Sequence, residues 1–157
     1  MSNRALTIFC SLLAFAASCS GIKTNGDSSA QAPAKVVQPD FPKGDLQHLK
    51  AFEAKYPKES GFFSDTLLTQ RLQKLMGKTD YDFMLAAWGV ESPIIVDGEI
   101  VSARGCEAHN CGATNFIVIA DLEANVLYAG VCKNNEVKTF SENGNTVKQL
   151  TDFVSGL

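Results

Sequence analysis

A six-residue segment near the middle of the chain, Cys106 to Cys111, most strongly constrains how this sequence can fold. It reads C-E-A-H-N-C, and a glycine stands on either side, at Gly105 and Gly112. A disulfide between the two cysteines would close a small ring and turn His109 outward on a stiff loop. Closing so short a ring removes roughly 2 kcal/mol of unfolded-chain entropy, which suits the stiffening of one loop better than the stapling of a whole fold.

The N-terminus predicts export from the cytoplasm. Arg4 precedes a 13-residue apolar run, Ala5 to Ala17, which has the length of a signal-peptide core and is too short to span a bilayer. Small residues then lead into Cys19, as in a bacterial lipobox, although Ala16 stands where leucine or a similar residue is usual. We therefore predict a signal peptide over residues 1–18 and lipidation of Cys19, with ordinary signal-peptidase cleavage just upstream as the alternative.

Export would place the remaining chain in an oxidising compartment, where disulfides persist. Of the five cysteines, Cys10 leaves with the signal peptide and Cys19 is predicted to carry lipid. The close pair, Cys106 and Cys111, is then the predicted bridge. Cys132 is left over, and we expect it to be a buried free cysteine.

Composition predicts a tether followed by one domain. Residues 20–44 are rich in Gly, Ser, Ala, Pro and Asn and have little to bury, so we assign residues 19–44 to a lipid-attachment cysteine and a flexible tether. Residues 45–157 are left as a single folded domain. The whole chain has a formal charge of −3, which becomes −4 once Arg4 is removed with the signal peptide. Because no basic run with interleaved aromatics is present, we expect no nucleic-acid partner.

The first half of this domain has helical periodicity. Asp45 is a plausible N-cap for a helix that ends at Pro57, with an apolar stripe made of Leu46, Leu49, Phe52 and Tyr56. A second helix is predicted from about Ser64 to Met76, stopped by Gly77. Residues 81–89 are apolar and fit either a helix or a strand. Trp88, within that run, is expected to pack in the core.

After Pro93 the pattern changes to strands. Residues 94–96 and 99–101 flank an Asp97-Gly98 turn, which is a strong hairpin signal. Further strands are predicted at residues 115–120, 126–132 and 136–140, followed by a final helix whose shared face consists of Val147, Leu150, Phe153 and Val154. The whole domain is predicted to be α+β, an antiparallel meander with flanking helices.

From these residues alone, three interpretations of the cysteine loop remain: a recognition loop, a metal site and an enzyme centre. A metal site would need a fourth ligand such as Cys132 or His48, but structural zinc sites usually use two separated ligand pairs. Redox sites use C-x-x-C, and a Cys–His nucleophile needs a third orienting group. Since the chain also lacks a P-loop and a dinucleotide-binding glycine pattern, we favour the recognition loop and expect no enzyme activity and no cofactor or metal.

The eight residues Gly105 to Gly112 resemble the signature loop of the Ivy family, the periplasmic inhibitors of vertebrate, or C-type, lysozyme. The family's loop reads roughly G-C-K-P-H-D-C-G, and this chain matches it at both cysteines, both glycines and the histidine. The strand that follows, the two helices upstream and the meander also fit the family's plan. The resemblance therefore covers about residues 45–157 and implies a lysozyme inhibitor, not an enzyme.

The resemblance also implies roles for the loop residues. In the family the loop inserts into the lysozyme cleft, where its histidine contacts the two catalytic carboxylates. By that resemblance His109 is the anchor, the two cysteines brace it, and the glycines allow the chain to turn tightly at both ends. The implied target-binding residues are Gly105, Cys106, Glu107, Ala108, His109, Asn110, Cys111 and Gly112.

Three positions depart from the family's loop. Glu107 replaces a basic residue, Ala108 replaces proline and Asn110 replaces an acidic residue. A carboxylate facing an acidic cleft would be repelled unless it turned aside, so the target is open between a C-type lysozyme and another peptidoglycan-cleaving enzyme bound by an immunity-type lipoprotein. In either case we expect a periplasmic protein that a lipid on Cys19 anchors to the outer membrane.

Overall fold

The computed structural model describes residues 39–156, so the predicted signal peptide, Cys19 and most of the predicted tether lie outside the described residues. The described chain is α+β, as predicted: an antiparallel six-stranded sheet with one long helix and one short helix. None of the helices in this part of the chain is long and apolar enough to cross a membrane. The elements are α1 (Thr66–Ala87), β1 (Val90–Glu91), β2 (Ile95–Asp97), β3 (Ile100–Cys106), β4 (Asn115–Asp121), β5 (Val126–Lys133), β6 (Glu136–Ser141) and α2 (Lys148–Ser155).

The predicted meander is confirmed. Strands β3, β4, β5 and β6 pair in sequence order, while β1 and β2 share the other edge of β3. The predicted hairpin forms between β2 and β3, but Asp97 pairs with Ile100, so its two-residue turn is Gly98-Glu99 and not Asp97-Gly98. The positive φ of +61° falls on Gly98, the first turn residue, where such a turn favours glycine.

The first predicted helix is a short 3-10 helix over Gln47–Phe52. Asp45 contributes as expected, because its Oδ1 accepts a hydrogen bond of 2.8 Å from the backbone N–H of Gln47. Leu46 and Leu49 are buried, but Tyr56 is 44% exposed, so the predicted stripe was wrong at its end. Only six residues are helical, and Tyr56 lies beyond them.

The second predicted helix begins near the expected position, and a further helical segment follows a kink at Gly77. Asp65 caps α1 by accepting a hydrogen bond of 2.8 Å from the backbone N–H of Leu68. Gly77 has φ +75° and ψ 160°, which are not helical values, so α1 consists of two helical segments that meet at a kink there. The predicted stop at Gly77 is therefore confirmed as the end of the first segment, and residues 81–87, which periodicity left undecided, are helical.

The two helices pack on opposite faces of the sheet. Buried residues of α1 contact the inward face of β3, β4 and β5, whereas Leu150 and Phe153 of α2 cover Ile117, Ile119 and Tyr128 on the other face. Val154 is 43% exposed, so its predicted place on the buried face of α2 was wrong. Phe153 already occupies that face, and the next residue of a helix points about 100° away from it.

A buried ion pair joins α1 to the loop that follows β6. Arg71 donates through Nε to Glu142 Oε1 at 2.8 Å and through Nη2 to Glu142 Oε2. Both side chains are at most 5% exposed, and Arg71 Nη2 also donates to the carbonyl of Asn125 at 2.7 Å. Asn125 in turn donates to the carbonyl of Gly44 at 2.9 Å. Segments before Gly44 also contact the domain, because Lys74 of α1 donates to the carbonyl of Asp40 and its Nζ lies 5.8 Å from the ring centroid of Phe41.

Trp88 lies in the core, as predicted, and it determines where the end of β3 lies. Its ring stacks on Phe116 with centroids 5.7 Å apart and meets Phe63 edge-on at 4.8 Å. The backbone of Gly105 passes so close that an added Cβ would lie 2.2 Å from Trp88 Cε2. Because such an approach is possible only for glycine, Trp88 and Gly105 together hold the strand end from which the cysteine loop leaves.

Replacing Gly105 by alanine is expected to destabilise the domain by about 1–3 kcal/mol, because the new methyl group overlaps the buried indole of Trp88. Urea unfolding followed by the fluorescence of Trp88, the single tryptophan, measures the loss directly. The matched control is Gly112→Ala, since an added Cβ there meets nothing within 4 Å. Equal unfolding free energies for the two variants would show that the Trp88–Gly105 contact does not constrain the strand.

Candidate functional site

The cysteine loop is closed by the predicted disulfide. Cys106 and Cys111 are joined with an S–S distance of 1.98 Å and a Cα–Cα distance of 4.9 Å, while Cys132 is free and buried. Both sulfurs of the loop are thus committed to each other and do not serve as thiolate ligands. Among residues 39–156, no group of three or more His, Cys, Asp or Glu side chains is placed to hold a metal ion.

The two remaining candidate ligands lie in separate surroundings. His48 is partly exposed, and its ring nitrogens lie 2.9 Å from the carbonyl oxygen of Asp45 and 2.9 Å from Asp65 Oδ2. His48 is therefore a surface residue of the 3-10 helix. Cys132 lies next to the segment that follows the disulfide ring, where its Sγ donates a hydrogen bond to the carbonyl of Ala113 at 3.3 Å.

The backbone forms two consecutive turns, the first inside the disulfide ring and the second just after it. The N–H of Asn110 donates to the carbonyl of Glu107 at 3.0 Å, which closes the first turn. The carbonyl of Asn110 then accepts from Ala113 at 3.0 Å and from Thr114 at 2.9 Å, which closes the second. The backbone N–H of Glu107 also donates to the carbonyl of Thr114 at 3.1 Å. The loop is therefore a compact, hydrogen-bonded unit that extends from β3 to β4.

His109 occupies the tip of this unit. It is exposed, and its imidazole makes no hydrogen bond or ion pair with any residue in the range 39–156. Its φ is +63°, at the third position of the first turn, where several turn types require a positive φ. That conformation costs a residue other than glycine on the order of 1 kcal/mol, and it persists only where the surrounding structure imposes it.

Glu107 and Asn110 face each other inside the loop. Glu107 is half-buried, and its Oε2 accepts a hydrogen bond of 2.7 Å from Asn110 Nδ2. The same amide group donates to Thr114 Oγ1 at 3.1 Å. The carboxylate that the sequence placed near the target is therefore bonded within its own loop. Thr114 is 1% exposed, and no sequence signal pointed to it as part of the site.

Neighbouring segments support the loop on both sides. Gly89, just after α1, lies against its tip, where an added Cβ would be 3.1 Å from the backbone nitrogen of Ala108. On the other side, the turn between β5 and β6 holds the loop's second half. Asn135 donates from its backbone N–H to the carbonyl of Ala113 at 2.9 Å, and Asn134 donates from its own to Thr114 Oγ1 at 3.4 Å. The predicted strands at residues 126–132 and 136–140 imply a turn here, but no sequence signal pointed to its contact with the loop.

The predicted binding residues form one continuous surface feature, although their contributions differ. Ala108, His109, Cys111 and Gly112 are exposed, whereas Gly105, Cys106, Glu107 and Asn110 are half-buried. Gly105 is needed for its contact with Trp88, while the conformation at Gly112 does not require glycine. The arrangement presents one imidazole, which can both donate and accept a hydrogen bond, on a loop whose backbone is already ordered.

Comparison with protein families gives one match. The family model described as inhibitor of vertebrate lysozyme (Ivy) matches residues 67–154, which is more than half of the 157-residue chain. The matched segment runs from the start of α1 into α2 and includes the whole disulfide loop. Comparisons with curated proteins and with solved structures found no match. The family's members inhibit an enzyme and are not enzymes themselves. On this match, the chain belongs to the Ivy family of inhibitors of vertebrate lysozyme.

Proposed function

We propose that this protein inhibits a C-type lysozyme by inserting the loop of residues 105–112 into the active-site cleft, with His109 as the anchor. Membership of the family supports inhibition of lysozyme. The observation that carries the proposed mechanism is the exposed imidazole of His109, held at φ +63° at the tip of the Cys106–Cys111 ring.

The chemistry of the target favours an imidazole in that position. A retaining glycosidase keeps one carboxylic acid protonated and a second carboxylate ionised, about 5 Å apart. An imidazole placed between them can accept a hydrogen bond from the first and donate one to the second. It would block the substrate while satisfying both groups. Because the loop is ordered before it binds, little conformational entropy is lost on docking, and more of the contact energy contributes to affinity.

The charges of the protein are compatible with this mode of binding. The carboxylate of Glu107 accepts a hydrogen bond from Asn110 inside the loop, which reduces its repulsion from an acidic cleft. From residue 20 onward the chain has a formal net charge of −4, since Arg4 is the only charged residue before that point. An acidic inhibitor is attracted to a basic lysozyme, mainly through faster association.

A second candidate target is another peptidoglycan-cleaving enzyme in the envelope. The observation that favours it is the departure of Glu107, Ala108 and Asn110 from the family's loop pattern. Those three side chains lie in the turn that presents His109, so they would contact or shape the surface next to the anchor. This alternative would be selected if the protein inhibited such an enzyme and a C-type lysozyme kept its full activity in the presence of the protein.

His109→Ala is expected to raise the inhibition constant for a C-type lysozyme at least about 30-fold, because a buried central anchor contributes about 2 kcal/mol or more. A muramidase assay on bacterial cell walls, with the oxidised domain as titrant, gives the constant. His48→Ala is the matched control, since His48 is the other of the two histidines and lies outside the loop. Equal inhibition by wild type and His109→Ala would remove the histidine from the mechanism.

Removing the disulfide is expected to weaken inhibition about tenfold by loosening the loop before it binds. The double variant Cys106→Ser/Cys111→Ser tests this in the same assay, and Cys132→Ser is the control because that cysteine is free. Unfolding curves show whether each variant remains folded. Full potency of a folded double variant would mean that the covalent brace has no part in inhibition.

We propose that the protein is exported to the periplasm through a signal peptide over residues 1–18 and is anchored there by a lipid on Cys19. The apolar run, the small residues and the cysteine that follows them support this. In a bacterial host, the wild-type chain is expected in the membrane fraction and Cys19→Ala in the soluble periplasmic fraction. Intact mass measures the acyl chains, and a wild-type chain without them would favour ordinary signal-peptidase cleavage.

A further inference from the structure

We infer that Glu107 is a positioning residue: through Asn110 it holds the tip of the disulfide loop in the conformation that presents His109. The inference rests on the proposed function, because it assigns a role to a residue of the same loop. It also explains why a carboxylate is tolerated beside an anchor that would enter an acidic cleft.

The first step is the geometry of the turn. Glu107 and Asn110 are its first and last residues, and Ala108 and His109 lie between them. A backbone hydrogen bond of 3.0 Å and a side-chain hydrogen bond of 2.7 Å, from Asn110 Nδ2 to Glu107 Oε2, join the same two residues. The disulfide joins the residues immediately outside them, Cys106 and Cys111. The exposed tip is thus closed by two hydrogen bonds between the same two residues and, one residue further out on each side, by the disulfide.

The second step is the connection to the body of the domain. Asn110 Nδ2 also donates to Thr114 Oγ1 at 3.1 Å, and that oxygen accepts from the backbone N–H of Asn134 at 3.4 Å. Thr114 is buried, and Asn134 belongs to the turn between β5 and β6. The side-chain link therefore continues from the tip of the loop to a hairpin of the central sheet.

The third step is the strength of the link. A hydrogen bond to an ionised carboxylate is stronger than one between neutral groups. The positive φ of His109 has to be imposed by its surroundings, and the Glu107–Asn110 bond closes the turn around that residue. In the alternative, Glu107 would be a direct contact to a basic residue at the rim of the target's cleft.

Substitutions at two positions separate these roles. Glu107→Gln keeps an acceptor for Asn110 and removes the charge, whereas Glu107→Ala removes both. For a positioning residue, we expect Glu107→Ala to raise the inhibition constant about tenfold and Glu107→Gln to restore inhibition to within about threefold of wild type. Asn110→Ala should match Glu107→Ala, and the double variant should be no worse than either single one. Equal losses in Glu107→Gln and Glu107→Ala, with Asn110→Ala unchanged, would overturn the inference in favour of direct charge contact.

A measurement on the free protein separates this inference from the proposed function. Amide ¹⁵N relaxation at His109 reports whether the loop tip is ordered before any lysozyme is added. We expect the tip to become mobile in Glu107→Ala and to stay ordered in Glu107→Gln, with the same unfolding midpoint in both. If wild type failed to inhibit, the proposed function would fall, and the relaxation data would still decide the role of Glu107. An equally ordered tip in wild type and Glu107→Ala would overturn the inference whatever the assay showed.

Discussion

The packing of Trp88 against Gly105 is the contact on which the loop end of the domain depends. The indole is fully buried between Phe116 of β4 and Phe63, and only a residue without a side chain can pass over it at position 105. Next to this contact, the backbone N–H of Gly89 donates to the carbonyl of Cys106 at 2.9 Å. The end of α1 therefore fixes the last two residues of β3, and so fixes the base from which the disulfide ring projects.

Beyond the end of β3, the loop is ordered by a disulfide and by hydrogen bonds between residues that are close in sequence. Loops usually gain their order from packing, but the tip around His109 is exposed and has little apolar surface to bury. The disulfide and the turn hydrogen bonds replace packing there, and they also offset the cost of the positive φ at His109. The entropy of ordering the loop is then lost during folding, when the core forms, and not during association with a target.

Signals that lie close together in sequence predicted most of the fold. Strand alternation and turn residues gave the meander, and the five-residue separation of two cysteines gave the bridge. Contacts between residues that lie far apart in the sequence could not be predicted in this way. The Arg71–Glu142 pair spans 71 positions, and the requirement for glycine at position 105 comes from a tryptophan on another element. The inward orientation of Glu107 depends on the fold of its own loop, which composition does not encode.

Two of the departures from the family's loop pattern, at Glu107 and Asn110, concern side chains that bond to each other. The family pattern has a basic residue at the position of Glu107 and an acidic one at the position of Asn110, which is a donor followed by an acceptor. In this chain the acceptor comes first and the donor second, and the two are bonded at 2.7 Å. The order of donor and acceptor is thus reversed in this chain, and the pair that results closes the turn. Ala108 lacks the fixed φ that proline would supply, so a larger share of the order at His109 has to come from this side-chain bond.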